Sequence, residues 1–503
     1  MIEYFPPIQS LRANAQHIRS LAIISDIPPG KESNEYFNIQ GCTQLQQFIW
    51  DPRRDDVDLR GLINFLKKNG SKIKNLDLQF HRHKDMSQFW KLLVQGLHST
   101  LQSLKINFNI VNHGDAPWIF MACRGLIELE VECNFLSKDL IPFFQYPFTR
   151  NELLQEAMEK EGSQTKSLLT DSPARGNLDS RDNAYDEHMF PHIRKLKIPR
   201  CVDNKGSWLT MMKECPKLET FYFSDNEEIV IVHDECEAIA SASTWPNLNS
   251  MEIWSTLITD ESTADLILSL NRNRDQVQSQ VPSDEPKRLL ENFINISTNT
   301  GMASFYALQS HGHFETLESL SIFSRAFGSM AILTVLTSCP RLKVIVAVKI
   351  HAADIAEARS RPWACLGLVS WEISIEADLR QWTPSVEYEQ LIDRKPPTES
   401  EMQDATLEQL GRLCHLQTLG LGWWTYNDPT VGISLTVDKG LERLSGLWQL
   451  EELTFSGWGL KEKDVDWIAV HWKHLKRVNF VDGGLSLRNK DKLTWEIWQK
   501  RPL

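Results

Sequence analysis

The chain has 503 residues, 42% of them hydrophobic and 24% charged, with a formal net charge of −12. This is the composition of an ordinary globular chain. The acidic balance disfavours nucleic acid and anionic membrane as main partners, because both reward clustered Lys and Arg. The longest apolar run of note, Val344–Val348, is far too short to span a bilayer.

The first seventeen residues, from Met1, hold neither the basic start nor the apolar run of a secretory signal, so the chain is expected to be intracellular, cytoplasmic or nuclear. From Ile18 onward one phrase recurs: apolar, two residues, apolar, one residue, apolar. Its starts are Ile18, Leu45, Ile73, Leu101, Leu126, Ile193, Leu218, Leu248, Leu317, Leu342, Leu368, Leu416, Leu450 and Leu475, fourteen in all. Most starts lie 25 to 34 residues apart, in or near the leucine-rich-repeat range. The alternation at the end of the phrase has period two and predicts a short strand with one buried face. Between strands the spacing turns helical, over Gly61–Asn69, Asp85–His98 and Gly328–Ser338. The expected fold is therefore α/β: a leucine-rich-repeat solenoid, or horseshoe, with a concave parallel sheet and convex helices.

Residues 1–17 form an N-terminal segment, 18–485 the solenoid and 486–503 a C-terminal cap in which Trp495 and Trp498 cover the last repeat. Three long gaps predict interruptions near 137–190, 255–313 and 376–405, each long enough to hide a degenerate repeat, so fourteen is a floor. The first has a polar, acidic centre that predicts disorder. The second carries a predicted helix over Lys287–Ile296.

Five of the nine cysteines, Cys42, Cys123, Cys215, Cys339 and Cys365, each stand three residues before a repeat start, which predicts small buried side chains. No CxxC pair occurs. Trp424 and Trp458 share a phase eight residues after a start and are expected to pack in the turn behind the strand.

The phase also predicts the open face. The fifth repeat presents Glu128, Glu130 and Glu132, and the sixth presents Lys195 and Lys197. The two columns read either as a partner-binding feature or as a cross-strand charge ladder. Tyr222, Trp254, Phe323, Val344, Val346 and Val348 form an apolar stripe, either an interaction site or a surface covered by residues 255–313. Later repeats present Glu372 and Glu452 among small residues. No phosphate-binding loop, nucleophile elbow or HExxH motif is present, and His81/His83 and His311/His313 lack nearby further ligands. Catalysis, cofactor and metal are therefore not expected.

Cys123-Arg124-Gly125-Leu126-Ile127-Glu128-Leu129-Glu130-Val131-Glu132-Cys133-Asn134, with Cys215-Pro216-Lys217-Leu218 and Cys339-Pro340-Arg341-Leu342, resembles the cysteine-containing leucine-rich repeats of fungal F-box proteins. The resemblance implies a protein-recognition surface, the substrate-binding portion of an SCF ubiquitin-ligase receptor. It implies a protein client and, where an F-box precedes the repeats, a Skp1-type adaptor. The F-box itself, about 40 residues in that family, has no room before Ile18, so the expectation is a chain that begins just after it. The alternative is a repeat-only scaffold unrelated to ubiquitin transfer. A GTPase-activating repeat protein ranks last, because only Asn109, Asn134 and Asn226 hold the phased Asn position.

Overall fold

The computed structural model describes residues 8–25, 37–52, 59–79, 87–93, 100–107, 125–132, 190–197, 215–224, 245, 247–254, 258–268, 289–297, 299–379, 395–421, 432–455 and 460–480. The chain divides into two compact units, one of residues 1–229 with 242–248, the other of 230–241 with 249–503. Each is α/β, with parallel strands following one another in chain order.

In the first unit the strands are β1 (Ser20–Ser25), β2 (Gln47–Pro52), β3 (Asn75–Gln79), β4 (Ser103–Asn107), β5 (Glu128–Glu132), β6 (Lys195–Lys197) and β7 (Thr220–Ser224). Every strand begins two residues after a predicted repeat start. The two closing apolar residues of each phrase fall in one-to-one register, as in Phe48↔Leu76↔Leu104↔Leu129. Where described, these side chains are withdrawn from water, while the residues between them are half-buried or exposed except for Tyr222, which is buried. One backbone contact recurs at each step. The carbonyl just after a repeat start accepts two successive N–H groups from the next strand. Arg19, Gln46, Lys74, Gln102, Ile127 and Arg194 all do so, at 2.7–3.3 Å.

The second unit repeats this arrangement in β8 (Ser250–Trp254), β9 (Asn292–Asn295), β10 (Ser319–Ile322), β11 (Val344–His351), β12 (Ser370–Glu376), β13 (Thr418–Gly420), β14 (Glu452–Phe455) and β15 (Arg477–Phe480). The accepting carbonyls are those of Asn249, Glu291, Glu318, Lys343, Val369, Gln417 and Glu451, at 2.6–3.2 Å.

Residues 255–313 contain a complete further repeat. A helix over residues 260–268 leads to β9, and the helix Met302–Ser310 follows it. Lys287–Ile296 was expected to be helical, but its described part holds β9. The phrase is Leu290-x-x-Phe293-x-Asn295, and Asn295 hides it by taking the last apolar place. Asn295 is buried and its side-chain oxygen accepts the Ser297 N–H at 2.8 Å. The 376–405 stretch likewise holds the start of the helix Glu399–Gly411, capped reciprocally by Thr398 and Glu401. Residues 137–189, 380–394 and 486–503, with Cys123, Cys201, Trp424 and Trp458, lie outside the described residues.

Helices close one face of the strands. The helix Leu59–Asn69 turns Leu62, Ile63, Phe65 and Leu66 inward, and Ser329–Ser338 buries Ala331, Ile332, Leu333, Val335 and Leu336. Each apolar side chain withdrawn from water contributes about 1.5–3 kcal/mol. Cys42, Cys215, Cys339 and Cys365 are buried at the turn before their strands, where Leu413, Leu447 and Trp472 hold the same place in later repeats. Burial raises the Cys339 thiol far above its usual range and pushes Cys365 up to about 12, as suits inert packing groups.

Polar side chains tie one repeat to the next. The Asp260 carboxylate accepts the N–H groups of Gly301, Ala303 and Ser304 at 2.7–3.0 Å, capping the helix Met302–Ser310 from the preceding repeat. Buried Asp464 accepts from Val437 and Lys461, both at 2.7 Å. Buried Asn69 accepts the Cys42 N–H and donates to the Ile39 carbonyl.

Buried His313 accepts the Leu290 N–H on Nδ1 at 3.0 Å, so the ring is neutral with its proton on Nε2. Burial holds its pKa down at about 4, below the usual 6.5. The unfolded chain therefore takes up this proton first as the pH falls. Stability should be intact above pH 6.5 and decline toward pH 4, by about 3 kcal/mol in all. Chemical denaturation at stepped pH checks this. His313→Gln should flatten that window, and an unchanged slope would show that His313 does not set it.

Candidate functional site

Alternation puts one row of side chains from each strand on the face away from the helices. In the first unit the central row runs Ile49, Asp77, Lys105, Glu130, Lys197 and Tyr222. Lys105 and Lys197 both reach Glu130 Oε1, at 3.2 and 3.3 Å, and the Lys197 ammonium lies 4.6 Å from the centre of the Tyr222 ring. The expected acidic and basic columns thus meet as a cross-strand ladder. Glu128 is exposed and Lys195 half-buried in the row before, while Glu132 lies on β5 with its side chain outside the described set. Tyr222 is only 7% exposed, so it packs beneath the ladder and is no open contact residue.

A groove of about 250 Å³ crosses this face, lined by Ile49, Asn75, Asp77, Ser103, Lys105 and Glu130 among others. Asp77 and Glu130 titrate in opposite directions within it. Burial raises Asp77, and the hydrogen bond from Gln79 and the Lys105 charge offset this only in part. Burial would raise Glu130 too, but Lys197 and Lys105 outweigh it and hold the carboxyl below its usual range.

The second unit presents a different face. Val344 and Val346 are half-buried, and Val346 stands beside Ser321 on β10 and Glu372 on β12. Beyond the strand ends Ile296 stands between Trp254 and Phe323. The Ile296 N–H bonds the Ile253 carbonyl at 3.0 Å, and the Phe323 N–H bonds the Asn295 carbonyl at 3.1 Å. Trp254 is 40% exposed, and Ile294, Ile296, Phe323 and Val348 are half-buried. The stripe expected as Trp254 beside Phe323 is therefore wider, because β9 adds Ile294 and Ile296 to it. The described part of 255–313 enters the sheet rather than lying over it. Further along, Glu372 adjoins Gly420, and Glu452 is engaged in an ion pair with Arg477.

Asp77 and Lys105 were legible from the phase, four residues after Ile73 and Leu101. Ile294 and Ile296 were not, because their repeat start at Leu290 was masked by Asn295. Among the described residues no group of three or more His, Cys, Asp or Glu side chains is placed to hold a metal ion, and no helix is long and apolar enough to cross a membrane. No model of a known protein family matches the chain, and no curated protein matches it.

Glu130 and Asp77 give opposed expectations at neutral pH. Glu130's lowered pKa means it stabilises the fold above the usual carboxylate range and ceases to do so as the pH falls through its folded value. Asp77's raised pKa means its charge costs stability once ionised. Glu130→Gln should lower the thermal midpoint at pH 7 and Asp77→Asn should raise it, the two effects shrinking below pH 4. Midpoints moving in the same direction would contradict the ladder.

Proposed function

We propose that the chain is a leucine-rich-repeat horseshoe whose open sheet face recognises a protein client inside the cell. Its role would be the substrate-recognition portion of an F-box-type SCF ubiquitin-ligase receptor. The observation that carries recognition is the set of half-buried apolar side chains on the open face of the second unit: Ile294 on β9 and Ile296 just after it, Phe323 just after β10, and Val344, Val346 and Val348 on β11, with Ser321 between Ile294 and Val346 and Glu372 beside Val346. A half-exposed cluster of branched side chains on a rigid sheet, rimmed by polar residues, has the make-up of an interface centre. Parallel strands in chain order, one to each repeat, support the solenoid reading. The ubiquitin link rests on the resemblance of the cysteine-containing repeats.

The mechanism is positional. Backbone staples and buried columns hold the face, so a client would lose little freedom beyond its own on docking. The receptor would hold that client within reach of a ubiquitin-transfer machine and do no chemistry itself.

Cross-linking capture from cells expressing the full chain, compared with Val346→Asp and Ile294→Asp, tests this reading. Each variant should lose about ten-fold or more of the captured client while keeping its thermal midpoint. The client should also lengthen in half-life, and a Skp1-type adaptor should co-purify with the parent chain. Capture without adaptor or change in half-life would favour the repeat-only scaffold. Equal capture by parent and variants would remove the open face from the account.

A further inference from the structure

On the open face of the second unit one carboxylate stands without a counter-charge. The central row of that face runs Glu252, Ile294, Ser321, Val346, Glu372, Gly420, Thr454 and Asn479, one residue from each strand in register. Glu372 is half-buried between Val346 and Gly420, and neither neighbour has a polar side chain to offer it. Among the described residues no cation and no hydrogen-bond donor engages its side chain. Three other carboxylates of the same unit are held. Glu376, on the same strand, takes Lys349 at 2.8 Å, and Glu452 on β14 pairs with Arg477. Glu318 takes Lys343 at 2.6 Å on the strand-entry edge, formed by the residues just before and just after each repeat start. Glu252, at the other end of the apolar residues, is also engaged.

Glu372 adjoins the side chains that carry the recognition reading. Val346 is its direct neighbour across one strand spacing of about 4.8 Å. A client seated on Val346 therefore covers Glu372 as well and removes the water that solvates it. A carboxylate stripped of water with neither cation nor donor opposes binding strongly. A positive group brought by the client offsets that loss, and a wholly apolar segment does not. The net charge of −12 acts in the same sense at longer range, drawing a basic segment and repelling an acidic one.

We infer that the client segment carries a lysine or arginine that pairs with Glu372, close to an apolar residue that packs on Val346. This inference rests on the open-face reading and names the chemistry of its partner. The spacing fits an extended segment. Side chains two residues apart lie on the same side of it, about 7 Å apart at roughly 3.3 Å per residue. The long stem of a lysine or arginine lies along apolar surface while its head reaches a carboxylate beyond. A bare polyamine brings the charge but no apolar side chain for Val346, and a nucleic acid brings charge of the wrong sign.

A phage-displayed library of random dodecapeptides, selected on the full chain, tests it. Val346→Ala removes apolar contact without adding charge, so peptides that bind it about five-fold or more weakly than the parent use the open face. Those peptides should hold a lysine or arginine within two residues of an apolar one. In fluorescence anisotropy Glu372→Gln should weaken them about ten-fold or more and flatten their salt dependence. Glu318→Gln, which removes the same charge at the entry edge, should leave binding unchanged. Glu372→Lys should reverse the preference, so that a peptide whose basic residue is changed to glutamate binds it more tightly than the original does. A merely structural role for Glu372 would not produce that reversal. Val346-dependent peptides that lack a basic residue, or that keep their affinity for Glu372→Gln, would overturn the inference and leave the open-face reading standing. Failure to enrich any Val346-dependent peptide would count against both.

Discussion

Each step along the strands depends on one backbone contact: a carbonyl just after the repeat start that accepts two consecutive N–H groups from the next strand. A carbonyl oxygen has two lone pairs, so both donors are satisfied by one acceptor at the point where the chain enters the sheet. The contact recurs with the same spacing whether the donor residues are Gln46 and Gln47 or Lys476 and Arg477. Because it involves no side chain, it tolerates the sequence drift between repeats. Because it is one residue specific, it sets register, and a slip of one would turn every buried side chain outward.

From that register follow the columns. Three residues before most starts comes a buried side chain, among them Ala15, Cys42, Phe190, Trp245, Phe314, Cys339 and Leu413; at the start and at three and five beyond come the strand-facing core; between them come the open-face rows. What varies between the two units is the filling. The first unit lays charges of alternating sign across its central row, each lysine sharing a carboxylate. The second lays branched apolar side chains on β9 and β11, with ion pairs at the entry edge (Lys343–Glu318, Lys476–Glu451) and further along the strands (Lys349–Glu376, Arg477–Glu452). The same scaffold thus presents a polar groove in one unit and apolar side chains in the other.

The phase of Leu-x-x-Leu-x-Leu made most strands, the buried cysteines and the Glu130 ladder legible before any coordinates. It failed where one residue broke the phrase. Asn295 stands in a core column because its side chain bonds the chain two residues on, a local solution with no apolar signature. Missing β9 then misplaced Phe323 against Trp254. The helix Glu399–Gly411 was passed over because the polar stretch before it read as continuous with it, although Thr398 and Glu401 spell a capping box. Tyr222 falls on the open face by phase alone, yet it is buried, with the Lys197 ammonium over its ring. The ties made by Asp260 and Asp464 join residues about a repeat apart or less, with no periodic signal to announce them.

The claim on which the rest stands is that β9 is an integral strand between β8 and β10, held by the same carbonyl contact as the others. Paired cysteine substitution under mild oxidation tests it most directly. Asn292 is in register with Ser319 on one side and Ser250 on the other. Asn292→Cys with Ser319→Cys should form a disulfide readily, while Ser250→Cys with Ser319→Cys, two strand steps of about 10 Å in all, should not. Efficient closure of the Ser250–Ser319 pair with failure of the Asn292–Ser319 pair would mean that residues 255–313 loop out and that Ile294 and Ile296 do not belong to the open face.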